Sequence, residues 1–217
     1  MNLEQARFNM IEQQIRPWNV LDANVLHLLS VVKREDFVPP AHQLLAFVDM
    51  DIPLAGGQFM LAPRLEARML QDLGVHKHEK VLEIGAGSGY MAALLAHRAQ
   101  RVISLEINEE LAQMARTNLQ KAGIHNADVR HADGASYTAV EGPFDVIVLS
   151  GSVAEVPKSL LAQLKVGGRL GAIVGSEPVM RATIVTRSGE ADFSTIRPWD
   201  TMAPRLQNFP EPSNFKF

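Results

Sequence analysis

The rhythm of apolar and polar positions changes about one third of the way along the chain. Before position 63, apolar residues recur at helical spacing; Val25, Leu26, Leu29 and Val32 predict a helix whose N-cap is Asp22. After position 63, short apolar runs alternate with helical stretches. These runs predict seven strands, at residues 80–84, 101–106, 128–131, 144–149, 169–174, 182–187 and 192–197.

Alternating strands and helices predict an α/β fold with a doubly wound, mostly parallel seven-stranded sheet. The run 144–149 is apolar on both faces, which is typical of a strand in the middle of such a sheet. Ser188-Gly189 joins the last two strands and predicts an antiparallel hairpin. We therefore expect one domain with three parts: a helical cap and substrate loop in 1–62, an α/β core in 63–197 and an extended tail in 198–217.

Composition and charge indicate which classes of binding partner and which compartment to expect. The chain has 217 residues, a formal net charge of −3 and no cysteine. Because the charge is slightly negative, we expect no nucleic-acid partner. No apolar run approaches the roughly 18 residues of a membrane helix, so we expect no membrane partner. The absence of cysteine excludes disulfides and thiol catalysis and fits a reducing compartment, and we expect a cytoplasmic protein. The sequence gives no oligomeric state.

The most informative stretch is the turn that follows the first predicted strand, Val81-Leu82-Glu83-Ile84-Gly85-Ala86-Gly87-Ser88-Gly89-Tyr90. A dinucleotide fingerprint would need its last glycine where Tyr90 stands, and the chain contains no P-loop motif. Glu106 ends the next apolar run, 21 residues after Gly85. An acid at about that distance can accept hydrogen bonds from both ribose hydroxyls. The turn and the acid together indicate a bound nucleoside that needs no phosphate cradle.

Two further acids are candidates for contacts with the same ligand. Glu83 lies in the strand just before the glycines and could meet a cationic or ammonium group. Asp133, followed by Gly134, comes after the third predicted strand and could accept a hydrogen bond from an adenine amino group. His76 and His78 lack a third ligand nearby in sequence, so we expect no metal site there.

These residues resemble a known family. The glycine turn, Glu106, Asp133-Gly134, and the segments 143–148 and 164–170 resemble class I methyltransferases that use S-adenosylmethionine. More narrowly, the chain resembles protein-L-isoaspartate O-methyltransferases over roughly residues 5 to 190. The segments that carry this narrower resemblance are Arg34-Glu35-Asp36-Phe37-Val38-Pro39, Pro53-Leu54 followed by Gly57-Gln58 and Pro63, and Ala154-Glu155-Val156-Pro157.

The resemblance implies a Rossmann-like methyltransferase fold with S-adenosyl-L-methionine as cofactor. The implied reaction transfers a methyl group to the free carboxylate of an isoaspartyl residue in a damaged protein or peptide. The implied cofactor-binding residues are Glu83, Gly85, Ala86, Gly87, Ser88, Gly89, Glu106, Ile107, Asp133 and Gly134.

The chain departs from the family pattern in the predicted substrate segment, Gln58, Phe59, Met60 and Leu61. After Gly-Gln the family has Thr-Ile-Ser-Gln-Pro, so Leu61 stands where the family has a serine that touches the reacting carboxylate. Leucine cannot donate a hydrogen bond, and no catalytic residue is assigned. Three hypotheses stay open: isoaspartyl methylation, methylation of a different acceptor such as a small molecule or another protein carboxylate, and cofactor binding without transfer in a regulatory protein.

Overall fold

The computed structural model describes residues 2–138 and 140–211.

The N-terminal part is a cap of short helices. Helix α1 (Leu3–Met10) continues as a π-helical segment, Ile11–Ile15. Helix α2 (Ala23–Val31) begins at the predicted cap, Asp22, whose carboxylate accepts hydrogen bonds from the N–H groups of Asn24 and Val25 at 2.7 and 3.3 Å.

The segment between the cap and the core is a small hairpin. Strand β1 (Ile52–Pro53) pairs antiparallel with β2 (Phe59–Met60). The 3-10 turn Ala55–Gly57 connects them. The sequence predicts a loop here; the two strands are so short that alternation cannot reveal them. The hairpin presents residues 58–61 directly before the first helix of the core.

Helices and strands alternate through the core, which confirms the predicted fold class. Strands β3 to β7 are parallel, and β8 and β9 add an antiparallel pair. The strand order is β5-β4-β3-β6-β7-β8-β9. The elements are α3 (Pro63–Leu73), β3 (Lys80–Ile84), α4 (Tyr90–Arg98), β4 (Arg101–Glu106), α5 (Glu109–Lys121), β5 (Ala127–His131), β6 (Phe144–Val153), α6 (Lys158–Leu161), β7 (Leu164–Ser176), β8 (Val179–Arg187) and β9 (Phe193–Thr201).

The order of the strands fixes where a ligand can bind. Chain order runs outward from β3 to β5 on one side and from β6 to β9 on the other. In open α/β sheets, ligands bind outside the carboxyl ends of the strands at such a switch point. The turn after β3 and the end of β4 lie at this edge, because β3 and β4 pair in parallel register from Lys80 with Arg101 to Ile84 with Leu105.

The segment after residue 198 begins as strand and then packs against the sheet. Strand β9 continues to Thr201, and the chain then turns back along the end of β6. The N–H of Ser152 donates to the carbonyl of Pro204 at 2.7 Å, and the N–H of Leu206 donates to the carbonyl of Ser152 at 2.9 Å. Phe209 is buried against the sheet. The sequence also predicts that Phe209, Phe215 and Phe217 pack onto the domain or a partner; Phe215 and Phe217 lie outside the described residues.

Among the residues that the structure describes, no helix combines the length and the apolar character that crossing a membrane requires.

Candidate active site

The glycine turn is fixed by backbone hydrogen bonds to the neighbouring strand. The N–H groups of Gly85 and Ala86 both donate to the carbonyl of Leu105 in β4, at 2.8 and 3.0 Å. Gly85, Gly87 and Gly89 have φ angles of 92°, 52° and 87°, in the left-handed region that favours glycine. The three glycines therefore place backbone that carries no Cβ at the carboxyl ends of β3 and β4.

Glu106 binds the same turn from the end of β4. Its carboxylate accepts hydrogen bonds from the N–H of Gly87 at 2.8 Å and from the N–H of Asn108 at 3.0 Å. The side chain is almost fully buried. Two backbone donors thus orient this carboxylate, which supports the sequence-based pairing of the acid with the glycines.

A narrow cleft opens at this edge of the sheet, at the carboxyl ends of β3 and β4. Ala86, Ser88 and Gly89 belong to the turn but do not line the cleft. The predicted residues that do line it are Gln58, Phe59, Gly85, Gly87, Glu106, Ile107, Asp133 and Gly134.

Glu83 lies behind the cleft. Its carboxyl group is fully buried and accepts hydrogen bonds from the hydroxyls of Ser104 at 2.5 Å and Ser150 at 2.8 Å. Burial raises the pKa of Glu83 to about 7, and the two hydroxyl donors oppose that rise. Ser150 itself lines the cleft, so Glu83 reaches the cleft only through this hydroxyl. A contact between Glu83 and a ligand ammonium group stays a prediction.

Sequence reasoning missed the C-terminal wall of the cleft, formed by Leu206, Gln207 and Phe209. Next to them, the Asn208 amide donates to the Asp133 carboxylate at 2.9 Å. A Cβ atom on Gly85 would lie 2.9 Å from a methyl carbon of Leu206. The proline-rich segment after residue 198 has no hydrophobic periodicity. Only its scattered apolar residues indicate that it packs against the rest of the chain.

The predicted substrate residues divide between two cavities. Phe59 is 43% exposed and, with Gln58, lines the mouth of the cleft. Leu61 is buried and lines a smaller apolar cavity with Leu65, Met69, Met91, Val148, Leu149 and Ile173, where Glu66 and Ser150 supply the polar atoms. Met60 is buried and lines neither cavity. Ser150 borders both spaces, so the two cavities adjoin at this residue.

His76 and His78 stack on each other with ring centroids 6.0 Å apart, and both are exposed. Within residues 2–138 and 140–211, no group of three or more histidine, aspartate or glutamate side chains could hold a metal ion.

Comparison with known proteins identifies the family. The model described as Protein-L-isoaspartate(D-aspartate) O-methyltransferase (PCMT) matches residues 5–198. The chain belongs to this family. A relative from Syntrophobacter fumaroxidans, named protein-L-isoaspartate O-methyltransferase 1, is 40% identical over 190 residues, which cover 88% of this chain and 89% of the relative. A relative from Rhodopseudomonas palustris, named protein-L-isoaspartate O-methyltransferase, is 40% identical over 185 residues, which cover 85% of each chain.

Solved structures of the same fold include two PCMT-type proteins. One, from Plasmodium falciparum, was crystallised in complex with S-adenosyl-L-homocysteine. It superposes with a TM-score of 0.80 at 19% identity and covers 93% of this PCMT-family chain and 98% of its own. A second, named protein-L-isoaspartate O-methyltransferase, has a TM-score of 0.76 at 24% identity and covers 91% of this chain and 65% of its own. The family resemblance seen in the sequence is thus confirmed.

Proposed function

We propose that this PCMT-family chain is an S-adenosylmethionine-dependent methyltransferase that methylates the free carboxylate of isoaspartyl residues in damaged proteins or peptides. Membership of the family over residues 5–198 supports the reaction. The single observation that carries the proposal is the meeting of Glu106 and Gly87 at the cleft, with the carboxylate 2.8 Å from the turn. In α/β sheets, an acid at the end of the second strand, beside such a glycine turn, hydrogen-bonds a ribose.

The residues of the cleft fit an adenosyl group. Gly85 and Gly87 carry no Cβ, so a sugar and an amino-acid chain can lie against their backbone. Glu106 can accept hydrogen bonds from the two ribose hydroxyls, and Asp133 can accept one from the adenine amino group. The Plasmodium falciparum protein of the same fold was solved with the demethylated form of this cofactor. When bound, S-adenosylmethionine supplies a methyl group on a positively charged sulfur.

The chain's own residues position the reactants and exclude water. A carboxylate acceptor is already ionised at neutral pH, because its unperturbed pKa is about 4, so no general base is required. Holding the acceptor oxygen in line with the methyl group can contribute about 7–11 kcal/mol to catalysis. Phe59 and Leu206 place apolar surface at the cleft, where it would shield a bound ligand from water. No residue is given a covalent or proton-transfer role.

Leu61 is the reason for the other hypotheses, and the relatives described above favour neither of them. A different acceptor, including a small molecule, and a regulatory protein that only binds the cofactor stay predictions. The cytoplasmic location and the three-part division of the chain also stay predictions.

Two measurements test the proposed function. Calorimetry should detect binding of S-adenosylmethionine and of S-adenosylhomocysteine to the full chain. Transfer of a labelled methyl group should occur to a peptide that contains isoaspartate, and not to the same peptide with ordinary aspartate. Binding without transfer would reject isoaspartyl methylation and leave the other acceptors. The absence of binding to either compound would reject the whole proposal.

A further inference from the structure

Arg34 is a fully buried cation that contacts three parts of the molecule at once. Its Nη2 donates a hydrogen bond to the carbonyl oxygen of Leu61 at 2.6 Å. Its Nη1 forms an ion pair with Glu66 in α3. Its guanidinium carbon lies 5.1 Å from the centre of the Tyr90 ring, within the range of a cation–π contact. One side chain therefore connects the substrate segment, α3 and the start of α4.

The contact with Leu61 holds the backbone of this residue. The Leu61 side chain is apolar, so only the backbone of this residue can be held by hydrogen bonds. The N–H of the same peptide group is held as well, because the N–H of Ala62 donates to the Asp51 carboxylate at 2.8 Å. Two charged side chains thus hold both polar atoms of the Leu61–Ala62 peptide group, at the end of the substrate segment.

The contact with Tyr90 reaches the cofactor side. Tyr90 follows Gly89 directly and is the first residue of α4. Its ring is buried and also packs edge-on against Phe37, with centroids 5.4 Å apart. Arg34 therefore lies between the helix that continues the glycine turn and the segment that carries Leu61, although it lines neither cavity.

We propose that Arg34 is a positioning residue for methyl transfer, which sets the substrate segment relative to the glycine turn by holding the Leu61 carbonyl. The inference rests on the proposed function, because it assumes that the acceptor lies against residues 58–61. A displacement of about 1 Å between reactants can cost about 100-fold in rate. An arginine fork suits this task, since it donates to two acceptors in one fixed plane.

The chain offers a matched control in a second buried ion pair. Arg7 in α1 pairs with Glu35, and the two side chains are 9% and 2% exposed, against 0% and 6% for Arg34 and Glu66. Arg7 donates to Glu35 from both Nε and Nη2. The described hydrogen bonds of Arg7 include none to the substrate segment or to the glycine turn. Substitutions at Arg7 therefore measure the general cost of disturbing a buried ion pair in the cap.

The test compares Arg34→Lys with Arg7→Lys in the full chain. Lysine keeps the charge for its glutamate partner but cannot reproduce the forked contact. With an isoaspartyl peptide, we expect kcat to fall about 10–100-fold in Arg34→Lys. We expect the Kd for S-adenosylmethionine to stay at the wild-type value. Arg7→Lys should keep the wild-type kcat. A wild-type kcat in folded Arg34→Lys would overturn the inference.

A second measurement does not depend on activity. Hydrogen exchange at the Ala62 amide should be faster in Arg34→Lys than in the wild type, and unchanged in Arg7→Lys. The wild type could show no transfer to the peptide while exchange is still faster in Arg34→Lys. That result would reject the proposed function but support the positioning of the segment by Arg34. Equal exchange in the two variants would overturn the positioning itself.

Asp51→Ala keeps the inference testable if Arg34→Lys does not fold. This variant removes the other anchor of the same segment and leaves the buried ion pairs intact. We expect a lower kcat with the Kd for S-adenosylmethionine unchanged. An undiminished kcat would mean that fixing the backbone of residues 61 and 62 has no part in transfer, and the inference would fall.

Discussion

The cofactor cleft and the substrate segment are neighbours that are built in opposite ways. In the cleft, the acidic residues Glu106 and Asp133 line the ligand space. In the substrate segment, Leu61 contributes an apolar side chain. The charged groups of Arg34 and Asp51 instead bind the carbonyl and the N–H of the Leu61–Ala62 peptide group. Under the proposed function, the cleft would recognise the cofactor through charged side chains, whereas the segment would supply shape and position. Single substitutions should change binding in the first region and rate in the second.

Removing the charge of Glu106 should have the largest effect. Hydrogen bonds to a charged group contribute about 1.5–3 kcal/mol each, and a ribose offers two. We expect Glu106→Gln to weaken S-adenosylmethionine binding by about 3–4 kcal/mol, or some hundreds-fold, measured by calorimetry. Glu109→Gln is the control, because Glu109 is exposed in the first turn of α5. Equal affinities of the two variants would contradict the assignment of Glu106 to the ribose.

Glu83 should make the stability of the fold depend on pH. Burial raises its folded pKa to about 7, against 4.5 for an ordinary glutamate. Between these values the folded chain holds a proton that the unfolded chain releases. Its contribution to the free energy of unfolding is therefore complete below about pH 4.5 and is lost as pH rises toward 7, by an amount on the order of 3 kcal/mol.

Urea unfolding at about pH 5 and about pH 8 would measure this loss in the wild type and in Glu83→Gln. The variant cannot ionise at position 83, so its stability should fall less over the same interval. Glu66 has a raised pKa of about 7 as well, and its share should remain in the variant. Equal pH dependence in Glu83→Gln and wild type would show that Glu83 is ionised throughout.

The sequence located the glycine turn and Glu106 because their signals are local. The glycine turn directly follows β3, and Glu106 ends the very next strand, so apolar runs and glycine spacing locate both. Sequence reasoning did not find Ser150 or the wall formed by Leu206 and Phe209. These residues meet the turn only because β6 lies beside β3 and the tail folds back on β6. Such neighbours depend on strand order, which local patterns do not encode.

The substrate side was harder to predict for a related reason. The sequence located Leu61 and its unusual chemistry, and it located Arg34 as part of a family motif. The contact between them joins residues that are 27 positions apart and uses a backbone carbonyl. Every residue has such a carbonyl, so no residue type signals the contact. The small hairpin of β1 and β2 was missed because two-residue strands have no measurable period.

Comparing alanine substitutions at Gly89 and Gly123 would show how closely the glycine turn is packed against α5. Both have positive φ angles, 87° and 69°. A Cβ on Gly89 would lie 3.1 Å from the backbone of Ala115, whereas a Cβ on Gly123 would meet nothing within 4 Å. Strain alone costs about 1 kcal/mol, and overpacking adds about 1 kcal/mol or more. We expect denaturant unfolding to give losses of about 2 kcal/mol for Gly89→Ala and about 1 kcal/mol for Gly123→Ala. Equal losses would mean that α4 shifts away from α5 without cost.

Leu61→Ser should produce the smallest change, and it bears most directly on the acceptor. A hydroxyl at this position restores one neutral hydrogen bond, which contributes about 1 kcal/mol. We expect kcat/KM for the isoaspartyl peptide to rise about 5–10-fold, with Leu61→Ala as the control for the space that is vacated. A parent that is weakly active and improves only with serine fits a repair enzyme whose segment lacks one donor. A silent parent that becomes active with serine would show that Leu61 selects another acceptor. An improvement in Leu61→Ala equal to that in Leu61→Ser would assign the effect to space, because alanine supplies no donor.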